Sequence, residues 1–250
     1  MGFPLQKTLG LALFGLVGCQ QGVERVEWPV MGTIAAVETH GKADSARVRA
    51  VRETFAEVER LLNAHDPASE LSRLAPLADD EVLERCSPLV RPCYETAFRL
   101  QRETAGAFSP RWRGPKTLDL GAIAKGFAVD LAVAKVKGAD LLVDLGGNLK
   151  AAGGNWRIGI DRSDKRFTLA AGEACATSAV YYRGSHIFDA RTGRPAESSV
   201  AAVTVCAPSA QLADALSTVV FILGPQAGPA FVNRHYPAAK VVQIVAEENP

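Results

Sequence analysis

The chain predicts an α+β protein, and three observations carry that prediction. Apolar side chains recur at helical spacing over long stretches, as at Val48, Val51, Phe55, Val58 and Leu62. Short aliphatic runs such as Leu141-Leu142-Val143-Asp144-Leu145 end on glycines, as buried strands do. The two kinds of segment mix without the strict βαβ alternation of a doubly wound parallel sheet. With 250 residues, 48% of them apolar and 22% charged, the chain suits one or two globular domains with a sizeable core.

In order along the chain, residues 23–39 have strand character, interrupted at Pro29-Val30-Met31-Gly32-Thr33. The spacing from Val48 to Leu62 predicts a helix over roughly 43–63, and the turn residues from Asn63 to Glu70 predict a loop. Pro88 suits the first turn of a second long helix, running to about residue 104 and closed by Gly106. Residues 107–116 read as an irregular cationic connector that holds Trp112. Thr117-Leu118-Asp119-Leu120 reads as the end of a short strand and Gly121 as a turn; Ile123, Phe127, Leu131 and Val136 then predict a helix over 122–137. Strands follow at 141–145, 156–160, 167–169, 174–178 and 199–206, with helices over 212–223 and 229–235 and a last strand over 240–245.

A formal net charge of +1, with no basic cluster and no RNA-type aromatic motif, excludes nucleic acid as a partner. The first 19 residues carry an early Lys7, an apolar run over 9–17 and small residues before Cys19, which fits a secretory signal better than a permanent span. Leu16-Val17-Gly18-Cys19 resembles a bacterial lipobox. Its implied organisation is a signal peptide over 1–18, a lipidated Cys19 with a tether over 19–27, and a domain over 28–250. Multiple acyl chains would then anchor the protein to the inner or outer membrane on the periplasmic side of a bacterial cell. Of the remaining cysteines, Cys86 and Cys93 bracket a short segment and either bridge or stay as structural thiols; no Cys/His spacing suits zinc.

The chemistry-bearing residues centre on the stretch from Asp119 to Asp130. A glycine turn entering a helix aims backbone N–H groups and the positive end of the helix dipole at one spot, a place for an anion. Lys125 adds a mobile charge there, while Asp119 suits a hydroxyl, an amine or a metal shell. The spacing is not a P-loop, and plain α/β architecture gives the same junction. Asp214 and Thr218, at i and i+4, offer two hard oxygens to Mg²⁺; alternatively they lie on a solvated face with Thr218 bonding back to a carbonyl. His186, near Asp189, is placed to move protons or is a satisfied surface residue. His65 lies in a loop, and no Gly-x-Ser-x-Gly marks a serine hydrolase.

Several motifs fall in one order: Met31-Gly32-Thr33, Ser69-Glu70-Leu71-Ser72-Arg73-Leu74, the Asp119–Gly126 stretch, Leu145-Gly146-Gly147-Asn148, Trp156-Arg157-Ile158-Gly159-Ile160, Ala176-Thr177-Ser178, the stretch from His186 to Gly193, and the stretch from Ala213 to Thr218. Together they resemble the ApbE family of FAD:protein FMN transferases. The resemblance implies a T-fold-like α+β architecture and a Mg²⁺-dependent reaction. In it, a threonine hydroxyl of a flavin-accepting partner protein attacks the FMN-side phosphorus of FAD, and AMP leaves.

The resemblance places metal ligands on the Ala122 carbonyl, Asp214 and Thr218, and FAD contacts on Met31, His65, Ala107, Phe108, Ser109, Asp119 and Lys125. It assigns His186 and Asp214 to catalysis, His186 through proton handling or phosphate contact. The chain departs from the family where His65 replaces a Tyr or Trp, Ser109 an Asp, and Ala190 a proline; its connector between Phe108 and Leu118 is also much shorter than usual. That shortening motivates one alternative to transfer, a non-catalytic FAD-binding lipoprotein; a second is an FAD pyrophosphatase giving FMN and AMP, in which water replaces the protein hydroxyl at the same metal site.

Overall fold

The computed structural model describes residues 22–160, 163–180, 186–196 and 199–246. The expected signal peptide and Cys19 lie outside them. β1 (Val23–Val30) and β2 (Thr33–His40) form an antiparallel hairpin, so residues 23–27, expected to be tether, already belong to the sheet. Its two-residue turn, Met31-Gly32, has φ of 50° and 66°. That is the turn whose twist matches a right-handed ribbon, and a non-glycine residue there costs about 1 kcal/mol.

α1 (Ser45–Leu62) begins at Asp44, whose carboxylate accepts the N–H groups of Ala46 and Arg47, and buries Val48, Val51, Phe55, Val58 and Leu62. α2 (Glu70–Leu74) and α3 (Asp79–Arg85) are short helices without a periodic signal. α4 (Arg91–Glu103) begins later than Pro88 predicts. Pro88 sits instead in a tight turn where the Val90 and Arg91 N–H groups return to the Ser87 carbonyl, and Pro92 takes the first helical turn. The expected strand ending at Leu120 is absent: residues 117–120 join no sheet, and the Asp119 N–H bonds to the Pro110 carbonyl within the connector.

After α5 (Ala124–Lys135) come β3 (Leu141–Leu145), β4 (Asn148–Ala151), β5 (Asn155–Gly159), β6 (Arg166–Ala170) and β7 (Ala174–Ala179). β8 (Phe188–Asp189) and β9 (Arg194–Pro195) form a small ladder, followed by β10 (Val200–Ala207), α6 (Ala210–His235) and β11 (Lys240–Ala246). α6 is kinked where Gly224 adopts φ 83° before Pro225, which is why its sequence reads as two helices.

Seven strands form one sheet in the order β1-β2-β3-β4-β7-β10-β11, and every neighbouring pair is antiparallel. The α+β expectation therefore holds, with an antiparallel sheet faced by helices on one side. Because side chains alternate, Leu141, Val143 and Leu145 enter the main core with the helices, while Leu142 enters a smaller core with Trp156, Ile158 and Leu169 of the β5–β6 hairpin.

All four described cysteines are free thiols, so Cys86 and Cys93 are not bridged. Cys93 is buried among the α4 core residues, while Cys86 ends α3 and gives its thiol proton to the Leu83 carbonyl.

Candidate functional site

The site is built where α5 meets α6. Gly126 permits the contact: a Cβ there would run into the Ala210 carbonyl and stand 2.8 Å from the Asp214 Cβ. Asp130, one turn further along α5, accepts the N–H groups of Ala210 (3.0 Å) and Gln211 (2.9 Å) and is paired with Lys150 at 2.6 Å. The start of α6 is thereby fixed to α5, with Ser209 capping the Leu212 N–H. Small residues and one capping carboxylate set the register that brings Asp214 over the first turn of α5.

Asp214 is 5% exposed, and its Oδ2 accepts the Gly126 N–H at 3.0 Å. Lys125 Nζ lies 3.6 Å from the same oxygen and donates to the Gly121 carbonyl at 3.0 Å. Burial pushes the Asp214 carboxyl above the ordinary carboxylate range, opposed by the Lys125 ammonium and the Gly126 N–H. Part of the expected anion cradle is taken up within the protein: the N–H groups of Gly121, Ile123, Ala124 and Gly126 are bonded internally, that of Gly126 to the Asp214 carboxylate.

Hydroxyls complete the cluster. The Thr218 side chain is buried and reaches the Asp214 carbonyl at 3.4 Å, the back-bond weighed as the alternative, but its helix face is not solvated. Ser178 of β7 stands 3.1 Å from Thr218 Oγ1 and 2.7 Å from Ser217 Oγ, and Ser217 donates to the Asp214 carbonyl at 2.8 Å. Sequence reasoning had no role for Ser217 and only an unspecific one for Ser178; the small side chains one turn around Asp214 were the available signal. Ala122 lies in the same turn as Gly121 and Lys125, half-buried against the main core.

The other expected residues are placed as follows. Asp119 closes the turn, its Oδ1 accepting the Gly121 N–H (2.8 Å) and its Oδ2 the Trp112 indole N–H (3.2 Å), with Arg113 at 3.4 Å. Trp112 stacks on Phe188 with centroids 4.3 Å apart, and the Arg113 guanidinium lies over the same indole at 4.5 Å. The short connector thus covers the Asp119 end of the turn with an aromatic pair. Phe108 and Ala107 are buried; the Ala107 carbonyl accepts the Ala190 N–H, tying this segment to the loop of His186. Ser109 gives its hydroxyl proton to Gln101 at 2.6 Å.

Met31 donates its N–H to Glu59 at 2.9 Å and packs its side chain on the main core. His65 is exposed in the loop after α1, its N–H bonded to Asn63. His186 is exposed two residues before Phe188, and the nearby Asp189 is held by Arg191 at 2.6 Å. That hydrogen bond keeps the Asp189 carboxyl below its usual range.

Lys125, Asp214 and Thr218 are therefore one cluster in space, with Asp119 two residues from its turn. Its donors are carboxylate, hydroxyl and carbonyl oxygens, a set that suits a hard cation and no soft one. A buried carboxylate offset by a single ammonium at 3.6 Å fits a site that takes up further positive charge. An antiparallel α+β domain with a hard-oxygen cluster at a helix start is the class of protein that fold and site define.

Comparison with known proteins carries this further. The model of the ApbE family matches residues 112–242, a little over half of the chain, and the chain belongs to that family. An FAD:protein FMN transferase of Escherichia coli K12 is 33% identical over 139 residues, covering 47% of this chain and 40% of the relative. The match therefore spans less than half the length of that relative. A protein of the same name from Vibrio cholerae is 27% identical over 88% of this chain and 87% of its own length. The crystal structure of the Pseudomonas stutzeri flavinyl transferase ApbE, in its apo form, superposes with a TM-score of 0.75 at 25% identity, covering 91% of this chain and 92% of that one.

Proposed function

We propose that this protein transfers FMN from FAD to a threonine hydroxyl of a target protein and releases AMP. Support comes from family membership, from relatives named FAD:protein FMN transferase, and above all from the buried Asp214 beside Lys125 and the Thr218 hydroxyl. In the reaction a bond forms between the acceptor threonine oxygen and the FMN-side phosphorus. The bond from that phosphorus to the bridging oxygen breaks, the electron pair leaves with AMP, and the threonine proton is lost.

The Ala122 carbonyl, Asp214 and Thr218 would hold Mg²⁺, which when bound supplies charge against the pyrophosphate and the leaving AMP. Ser178, itself in contact with Ser217, meets the Thr218 hydroxyl and helps to hold it in place. Lys125, which lies 3.6 Å from Asp214 at the start of α5, would offer its ammonium to a phosphate oxygen. Trp112 and Phe188 offer an apolar wall beside Asp119 for a ring of the flavin nucleotide, in the place the shortened connector leaves. His186 takes the threonine proton. Cys19 carries a lipid anchor that holds the domain on the periplasmic side of a bacterial membrane, a reading supported by the lipobox-like Leu16-Val17-Gly18-Cys19.

The test is incubation with FAD, Mg²⁺ and an acceptor protein, followed by mass analysis of the acceptor. Covalent FMN on a threonine is expected. Free FMN and AMP without labelled acceptor would mean hydrolysis, and unchanged bound FAD would mean a carrier. Cys19→Ser should move the protein from membrane to soluble fraction; unchanged retention overturns the anchor.

A further inference from the structure

Two cysteines on the sheet face away from the helices take no part in the proposed transfer. Cys175 of β7 stands directly opposite Cys206 of β10 in an antiparallel pair, so both side chains leave the same face. Opposed residues in such a pair lie about 4.5–5.5 Å apart at Cα, within the span of a disulfide. Both are free thiols, Cys175 buried and Cys206 partly open. They share the small core under the β5–β6 hairpin, with Cys206 at its border. On its other side Cys206 is opposed by Lys240 of β11, which puts an ammonium on the same face.

We propose that Cys175 and Cys206 form a redox-active dithiol that reacts with disulfide oxidants and closes into a cross-strand staple between β7 and β10. Cys206 is the attacking thiol. The Cys175 thiol facing it draws it below the ordinary thiol range, with help from Lys240 and against burial and Glu173. Cys175, buried beside it, is pushed well above that range by Cys206 and by burial. The Cys206 thiolate attacks one sulfur of the oxidant, whose S–S bond breaks and releases a first thiolate. Cys175 then loses its proton and attacks Cys206 Sγ, displacing the second. The pair gives up two electrons and two protons, and the oxidant becomes two thiols.

Cys86 and Cys93 lack these features: burial pushes both upward, and neither is opposed to a partner thiol in a ladder. The staple would join the strand that presents Ser178 to the strand that leads into Ser209, the cap of α6. It would therefore brace the frame of the site from behind. This inference is independent of FMN transfer.

The test uses the purified protein in buffers of oxidised and reduced glutathione, with free thiols trapped by alkylation and peptides mapped without reduction. A linked Cys175–Cys206 peptide is expected under oxidising conditions, reversed by reductant, with a melting midpoint raised by roughly 5–10 °C. In Cys175→Ser, glutathione should accumulate on Cys206; in Cys206→Ser, Cys175 should stay unmodified. The proposal is overturned if Cys175 and Cys206 both remain open to alkylation in oxidising buffer, if the disulfide includes Cys19, Cys86 or Cys93, or if glutathione persists on Cys206 of the unmutated chain. Mapping the unmutated chain decides the matter even where a variant fails to fold.

Discussion

The two faces of the sheet each bury an aspartate in nearly the same way, and they have opposite surroundings. On the helical face, Asp214 accepts a glycine N–H at 3.0 Å and has an ammonium at 3.6 Å. On the hairpin face, Asp144 accepts the Gly147 N–H at 2.9 Å and has the Arg25 guanidinium at 3.7 Å. Around Asp214 stand Thr218, Ser217 and Ser178, and the turn that carries Lys125. Around Asp144 stand Leu142, Leu149 and Ile158, together with Glu38, which pairs with Arg25 but leaves Oε2 buried without a partner. A buried carboxylate alone therefore marks no function. What separates the two is whether the next shell offers hydroxyls and one lysine ammonium, or a guanidinium shared with a second carboxylate among aliphatic side chains.

The comparison breaks most visibly at Asp214. Asp214→Asn should lower FMN transfer by at least ~10²-fold, because the amide cannot supply the charge that a cation needs. The melting midpoint should stay within ~3 °C, since neutralising a buried carboxylate relieves its desolvation. Acceptor labelling and circular dichroism on the same sample check both; retained labelling would make the helical face as inert as the other.

Gly126→Ala comes next. Its methyl would meet the Ala210 backbone and must part the two helices, costing about 1–3 kcal/mol by denaturant unfolding and misplacing Asp214. A stable, active variant would show that close packing of α5 on α6 does not set the site.

The hairpin face is probed by pH. Burial pushes the Asp144 carboxyl up to about 6, against the Gly147 N–H and Arg25 and with Glu38 and Glu27 adding to the rise. Burial raises Glu38 as well, against Arg25. The folded state then holds a proton that the unfolded chain releases near pH ~4. This contribution is fully present below that pH and is lost as pH rises through about 6. Asp144→Asn keeps the acceptor for Gly147 and should remove on the order of 1–3 kcal/mol of that decline, seen in urea melts from pH ~4 to ~7. Flavin transfer should not change, which is the sharpest contrast with Asp214.

The smallest effect is expected at Ser178→Ala. Loss of one hydroxyl contact to Thr218 should cost about 1 kcal/mol, read as a roughly five-fold higher Mg²⁺ requirement for FAD turnover. An unchanged Mg²⁺ dependence would leave Ser178 as packing.

Much of this architecture was legible along the chain. The spacing in α1 and the run of β3 marked their elements, because a periodic apolar face has no other use. Lys125, Asp214 and Thr218 were legible only as weak local patterns lying in one order, not as neighbours. α2 and α3 were missed because five and seven residues cannot show a helical period. The strand expected before Gly121 is absent because a short apolar run becomes a strand only when another strand is available to pair with it, and here the Asp119 N–H goes to the connector.

By itself the sequence determined the long periodic elements, the α+β class and the residue types able to hold a hard cation, since periodicity and side-chain chemistry are properties of short windows. Tertiary structure alone decided that the Gly126 N–H serves Asp214, that Ser178 reaches Thr218 from a strand, and that Cys175 faces Cys206. Those facts depend on which segments approach one another, and close approach is set by packing over the whole core, where a single missing Cβ at Gly126 determines what can touch.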